Sequence, residues 1–245
     1  MEKAVAMLRS FGRFRELETI LPKKKQARKE ENDRLREAGL NAAQAKWELD
    51  KAEKGGFFRR LMGKSEEKKE LAYAKYREAM AQEQQAKQRV ALLTMELEAM
   101  QQEYENCSGS WEIYLAEKEH CVAVGYAPEK WSDVLYPVLR EFALWEIGEC
   151  LDNLESARHW MQEDIRRQRV LEENRKLEFL GNARKHAQSI LRLLEQLPEG
   201  SVEITNYLRD PDGFILNMTM LYKQLDKLNL AQDQLRRLRK QLQEQ

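Results

Sequence analysis

The stretch LAYAKYREAMAQEQQAKQRVALLTMELEAMQQEY, residues 71–104, contains the repeat from which the fold class follows. Its small and apolar residues return in alternating steps of three and four, interrupted once at Glu83. Residues spaced in this way share one helical face, so the pattern predicts the seam of a coiled coil. The seam consists of Ala72, Tyr76, Ala79, Ala86, Val90, Leu93, Leu97, Met100 and Tyr104.

The preceding segment repeats the pattern with smaller side chains. Its seam consists of Leu35, Ala38, Ala42, Ala45, Leu49 and Ala52. Folding the chain about residue 62 sets Ala45 opposite Ala79 and Leu35 opposite Val90. We therefore predict a long antiparallel helical hairpin over residues 22–108, with its tip at 55–65. The alternative is a parallel dimer with a hinge at the glycines, but the equal arm lengths favour the hairpin.

The remaining residues, 109–245, predict a helical region with a Trp-rich core and a second hairpin. The repeat runs from Leu180 to Leu197 and resumes from Met218 to Leu242, so the bend lies at about 198–212. The apolar core material comes earlier in the region and includes Trp111, Trp131 and Trp145. The predicted fold class is all-α, with elongated antiparallel coiled-coil hairpins joined by a small helical core.

The composition agrees with this class and narrows the function. Charged residues make up 34% of the chain and the mean hydropathy is −0.77. The 42 basic and 42 acidic residues cancel, which argues against a dedicated nucleic-acid binder. Three cysteines without close spacing are typical of free thiols in a reducing compartment. With no signal peptide or membrane span in the sequence, we expect a cytoplasmic protein, either soluble or peripheral to a membrane.

Two short motifs resemble chemical sites but lack the surroundings that such sites need. Gly63-Lys64-Ser65 has the tail of a phosphate-binding loop, yet no glycine stands five residues before Gly63. Glu117 and His120 form one E-x-x-H pair, whereas a di-iron bundle requires two pairs and two further glutamates. We therefore predict no catalytic, cofactor-binding or metal-binding residue and no small-molecule substrate.

The predicted hairpin tip is the candidate interaction site. It combines apolar and basic side chains, namely Phe57, Phe58, Arg59, Arg60, Leu61, Met62 and Lys64. One interpretation is that the apolar side chains fold back and cap the seam. The other is that they stay exposed and bind a protein groove or an anionic membrane surface.

The first helix, predicted over residues 1–21, is amphipathic. Its apolar face consists of Val5, Leu8, Phe11, Phe14, Leu17 and Leu21, and basic residues lie around it. Such a helix either packs on the body of its own protein or lies in a membrane interface. The basic run at Lys23–Lys25 has a simpler explanation, because it would lie beside the acidic base of the second arm.

These observations predict a non-enzymatic coiled-coil scaffold or adaptor that presents helical arms to partner proteins. The alternative is a peripheral membrane-binding protein that attaches through its Phe/Arg tip and its N-terminal helix. Trp47, Tyr73 and Met80 lie off the predicted seams, so we also expect self-association or a helical partner. No cofactor is predicted.

Overall fold

The computed structural model describes residues 1–54, 64–125, 131, 133–167, 173–198, 202–209 and 221–244. Every regular element in these ranges is helical, which confirms the all-α class. The helices are α1 (Glu2–Glu53), α2 (Lys64–Cys107), α3 (Ser110–Ala123), α4 (Leu135–Arg167), α5 (Glu173–Leu194), α6 (Asn206–Arg209) and α7 (Leu221–Glu244). The described residues form two compact units, Ser10–Trp111 and Met1–Arg9 with Glu112–Gln245.

In the first unit, α1 and α2 pair antiparallel. Ion pairs between them join Lys24 to Glu96 at 2.7 Å, Glu31 to Arg89 at 3.6 Å and Glu48 to Lys75 at 4.0 Å. Each pair is centred between residues 60 and 62, as predicted for a chain folded about residue 62. These contacts confirm the predicted antiparallel hairpin. The Lys24 contact also confirms that the basic run lies beside the acidic base of α2.

Both predicted seams face inward along this pair. Ala42, Leu49, Ala72 and Ala79 are buried, whereas most residues between the seam positions are exposed. Alanine at these positions lets the two backbones approach closely, so the interface needs few large side chains. At the far end of α2 the seam becomes bulkier, and the cluster there consists of Leu17, Leu21, Leu97, Met100 and Tyr104.

Helix α1 continues through Pro22, so the chain has no helix end at the predicted 21/22 boundary. The apolar face of its first turns is largely buried in protein. Val5 and Leu8 are buried in the unit that contains the chain start. Phe11 contacts Trp111 with ring centroids 4.7 Å apart, and Phe14 stacks on Tyr104 at 4.6 Å. In this structure the amphipathic helix therefore packs on the protein itself.

Helices α2 and α3 are separated by a tight turn. Gly109 has a φ of +78°, a left-handed conformation that glycine adopts without steric cost. The hydroxyl of Ser110 donates to the carbonyl of Cys107 and satisfies one acceptor at the end of α2. Gly125, with a φ of +82°, follows the end of α3 in the same way.

The second unit is built around α4. This helix packs against both α5 and α7, and the single turn α6 packs against α5. Buried positions recur along α4 in steps of three and four from Ala143 through Cys150 to Met161. The sequence pattern predicts that the helix ending at Leu197 pairs with the C-terminal helix, whereas in the structure each of these two helices packs against α4.

Candidate interaction surface and buried polar clusters

The predicted tip residues, Phe57, Phe58, Arg59, Arg60, Leu61 and Met62, lie outside the described residues. The same holds for Gly63 of the motif Gly63-Lys64-Ser65. Lys64 is the first residue of α2, and its side chain is likewise outside the description. A candidate interaction surface within the described residues lies on α1 and α2.

Large apolar side chains are exposed on the outside of the α1–α2 pair. Leu40 and Trp47 lie seven residues apart on α1, and Tyr73 and Met80 lie seven apart on α2. Trp47 is 61% exposed. Seven residues make two helical turns, so each pair lies on one face of its helix. We call these four residues the exposed apolar set; three of them are those predicted to lie off the seams.

Cationic side chains stack on the aromatic members of this set. The Lys51 ammonium lies 4.8 Å from the centre of the Trp47 ring, and the Arg77 guanidinium lies 5.2 Å from that of Tyr73. Beside Tyr73 an open groove of about 650 Å³ runs between the two helices and is lined in part by Leu49, Glu53 and Lys69. Aromatic rings flanked by cations are suited to docking a partner with an apolar face and acidic edges.

A different kind of site lies between α4 and α5, where three polar side chains are buried together. Glu146 accepts a hydrogen bond from the Ser189 hydroxyl at 2.6 Å, and its other oxygen lies 2.5 Å from Nδ1 of His186. All three residues are at most 4% exposed. In a Ser-His-acid triad the histidine stands between serine and acid. Here the carboxylate stands between the other two, so the arrangement differs from that of a Ser-His-acid triad.

A buried ion pair closes the other end of the same helix pair. Lys176 on α5 and Asp164 on α4 are in contact, and both side chains are fully buried. Nearby, the Gln232 amide on α7 donates to Glu155 on α4 at 3.0 Å. These polar contacts specify which helices pair, because an alternative pairing would leave the charges without partners.

Cys150 is the most enclosed of the three free thiols. Its sulfur lies 3.3 Å from the carbonyl oxygen of Ala183 and 3.9 Å from the hydroxyl of Tyr207. Burial raises the pKa of this thiol to about 12. Because the thiolate is the nucleophilic form, Cys150 is held in an unreactive state that joins α4, α5 and α6.

The carboxylate of the E-x-x-H pair has another partner. Glu117 forms an ion pair with Lys3, which holds the pKa of its carboxyl below the ordinary value. Among the described residues, no group of three or more His, Cys, Asp and Glu could hold a metal ion. No described helix is long and apolar enough to cross a membrane.

Sequence reasoning missed the buried polar clusters, although the sequence held a signal for one of them. Lys176 continues the apolar repeat of α5 four residues before Leu180, and Asp164 continues that of α4 three residues after Met161. Opposite charges at seam positions of neighbouring helices indicate a buried pair. Glu146 and His186 are 40 residues apart, and no local pattern connects them.

The chain was compared with protein-family models, with curated proteins and with solved structures, and none of them matched.

Proposed function

We propose that this protein is a non-enzymatic scaffold or adaptor whose paired helices α1 and α2 bind a helical segment of a partner protein. The single observation that carries the proposal is the exposed apolar set at seven-residue spacing. Solvated helix faces are normally polar, and exposed apolar side chains in a helical repeat favour a further helix packed against them.

The partner chemistry follows from the surroundings of that set. Trp47 and Tyr73 each carry a stacked cation, Lys51 and Arg77. A segment with an apolar stripe and acidic edges would bury the rings and pair with the cations. Such a helix in a groove is a common mode of peptide recognition, and aromatic residues contribute most of the affinity in many interfaces.

The buried polar clusters support a structural role for the second unit. Glu146, His186 and Ser189 bond to one another, and Lys176 and Asp164 neutralise each other. These side chains hold α4 and α5 together.

Photocrosslinking followed by reconstituted binding tests this proposal. A benzoylphenylalanine placed at position 47 should crosslink a specific protein in cells, whereas the same probe at position 230 should not. Leu230 is a matched control, because it is 58% exposed but lies on α7.

With the partner purified, Trp47→Ser should raise Kd by about tenfold or more, as expected for an aromatic anchor. Leu230→Ser should leave Kd unchanged, and an equal Kd for Trp47→Ser and the native protein would overturn the proposal.

Vesicle co-sedimentation separates this function from the membrane alternative. The apolar face of the first helix is largely buried, so membrane attachment would depend on the tip, Phe57 and Phe58. A scaffold should stay in the supernatant with vesicles of phosphatidylserine and phosphatidylcholine. Salt-sensitive sedimentation that disappears in the Phe57→Ser/Phe58→Ser variant, with an unchanged melting temperature, would replace the scaffold with a peripheral membrane protein.

A further inference from the structure

The outer face of α2 carries a second helical repeat that the hairpin does not use. Ten positions follow one another in steps of three and four, and all ten are exposed. They are Leu71, Ala74, Glu78, Ala81, Gln85, Gln88, Leu92, Met95, Ala99 and Gln102. We call these positions the α2 stripe. The repeat spans more than four heptads, a length at which it indicates a coiled-coil seam.

The α2 stripe differs from an ordinary solvated face in its charge. One of its ten residues is charged, in a chain that is 34% charged overall. The outer face of α1 is different, because Asp33, Arg36, Asp50 and Lys54 flank its apolar residues. Leu92 and Met95 on the α2 stripe are 61% and 66% exposed. A long, exposed helix face with few charged residues is typical of a face that packs against another helix.

From this we propose that two copies of the chain associate through the α2 stripe, with their α2 helices antiparallel and the two-fold axis between Gln85 and Gln88. This inference goes beyond the proposed function, since it concerns a different face from the exposed apolar set. The stripe is self-complementary in that register. Leu92 of one copy faces Ala81 of the other, Ala99 faces Ala74, and Gln85 faces Gln88.

The polar residues of the stripe favour this register over the parallel one. Paired glutamines at the centre bond to each other and fix the alignment, as polar residues do in coiled-coil seams. Parallel association would set Glu78 against its own copy, whereas antiparallel association holds the two copies of Glu78 about 25 Å apart along the helices. The three glutamines also argue against lipid as the occupant, because their amides would lose hydrogen bonds in an apolar medium.

Charge complementarity along the edges supports a second copy as the occupant. The half of α2 near Cys107 is net acidic, with four glutamates and two basic residues, whereas the half near Lys64 carries five basic and five acidic residues. Antiparallel association sets Lys75 of one copy beside Glu96 of the other and Arg77 beside Glu98, each pair occurring twice. One like-charged pair, Glu70 with Glu105, falls at the ends of the stripe, where water screens it.

The first test measures the mass of the full chain by sedimentation equilibrium over a range of concentrations. The native protein should reach twice its monomer mass of 29.0 kDa. Leu92→Glu should raise the dimer dissociation constant by about tenfold or more, because it buries an unpaired carboxylate. Leu230→Glu is the matched control, since Leu230 is 58% exposed on α7, outside both proposed surfaces, and should leave the dimer unchanged. A monomer at all concentrations, or a dimer that tolerates Leu92→Glu, overturns the proposal.

Crosslinking then tests the orientation without relying on a destabilising change. Ala81→Cys mixed with Leu92→Cys should form a disulfide-linked dimer, in a Cys107→Ser background because Cys107 is half-buried. Neither variant alone should do so, since the two copies of residue 81 would lie about 16 Å apart along antiparallel helices. Efficient crosslinking of either variant with itself would indicate parallel association and overturn the proposal.

Charge reversal tests the register. Arg77 and Glu98 are suited to this, because Lys75 and Glu96 also form ion pairs with α1. Arg77→Glu and Glu98→Arg should each weaken the dimer, and the double variant should restore it, since both partners are then reversed. If the dimer of the double variant is weakened by as much as the two single effects combined, the proposed register is overturned.

Discussion

At the scale of single residues, the second unit is specified by polar side chains placed inside an apolar repeat. Asp164 and Lys176 occupy seam positions of α4 and α5, where most other residues are apolar. Burying either charge alone would be costly, but the pair compensates. Glu146 acts in the same way towards His186 and Ser189.

The buried ion pair leads to a prediction about stability. Asp164→Leu leaves the Lys176 ammonium buried without its partner and should lower the free energy of unfolding by about 3–5 kcal/mol. The double variant Asp164→Leu/Lys176→Met removes both charges and should recover most of that loss. Urea unfolding of the three proteins measures the difference.

An exposed ion pair provides the control. Asp233 and Arg236 lie one turn apart on α7 at 3.1 Å, and both are more than half exposed. Asp233→Ala should change stability little, because water screens such pairs. If Asp164→Leu and the double variant lose the same free energy of unfolding, the loss does not come from leaving the Lys176 ammonium without its partner.

At the scale of elements, the α1–α2 pair depends on small side chains. Ala42, Ala72, Ala79 and Ala86 are buried in the seam, although each contributes little apolar area. Their value lies in allowing close approach, which brings ion pairs such as Glu48–Lys75 and Lys24–Glu96 within reach across the interface. The arms therefore rely on fit more than on the amount of apolar surface.

This reliance on fit can be tested by overpacking the seam. Ala42 is 4% exposed, and Ala42→Leu adds three carbons where the structure has no room for them. The change should cost about 1–3 kcal/mol, measured by thermal or urea unfolding. Ala43 is the next residue and is exposed, so Ala43→Leu should leave the melting temperature nearly unchanged. If both variants melt like the native protein, the seam is not packed as described.

At the scale of the whole molecule, buried groups that must stay neutral make stability depend on pH. Burial raises the pKa of Cys150 from its ordinary 9.0 to about 12 and raises the pKa of the Tyr207 and Tyr114 hydroxyls as well. Above pH 9 the unfolded chain loses the Cys150 proton while the folded chain retains it. The unfolded state then binds fewer protons, so stability is complete below pH 9 and is lost as the pH rises towards about 12.

We therefore expect the urea midpoint to fall between about pH 8 and about pH 10.5, with a smaller fall in Cys150→Ala. The difference between the two proteins is the informative quantity, because burial lowers the pKa of Lys118 and that group acts in the opposite direction. Identical pH dependence in the native protein and the Cys150→Ala variant would contradict the assignment.

The sequence alone predicts the long helical segments, the two seams of the first hairpin and the fold point near residue 62, but its predicted boundary at 21/22 was wrong. These are local properties, because apolar residues that recur in steps of three and four indicate which face of a helix is buried. The same reasoning identified Trp47, Tyr73 and Met80 as residues outside the seams, and they are exposed in the structure.

The partner of each buried face is visible in the three-dimensional structure and not in the sequence pattern. The sequence paired α5 with α7, whereas α4 contacts both, and a periodicity carries no information about the identity of its partner. The contact between Glu146 and His186 spans 40 residues and depends on how α4 and α5 align. The same holds for the ring contacts of Phe11 and Phe14, because an amphipathic helix has the same sequence pattern whether it packs on protein or on lipid.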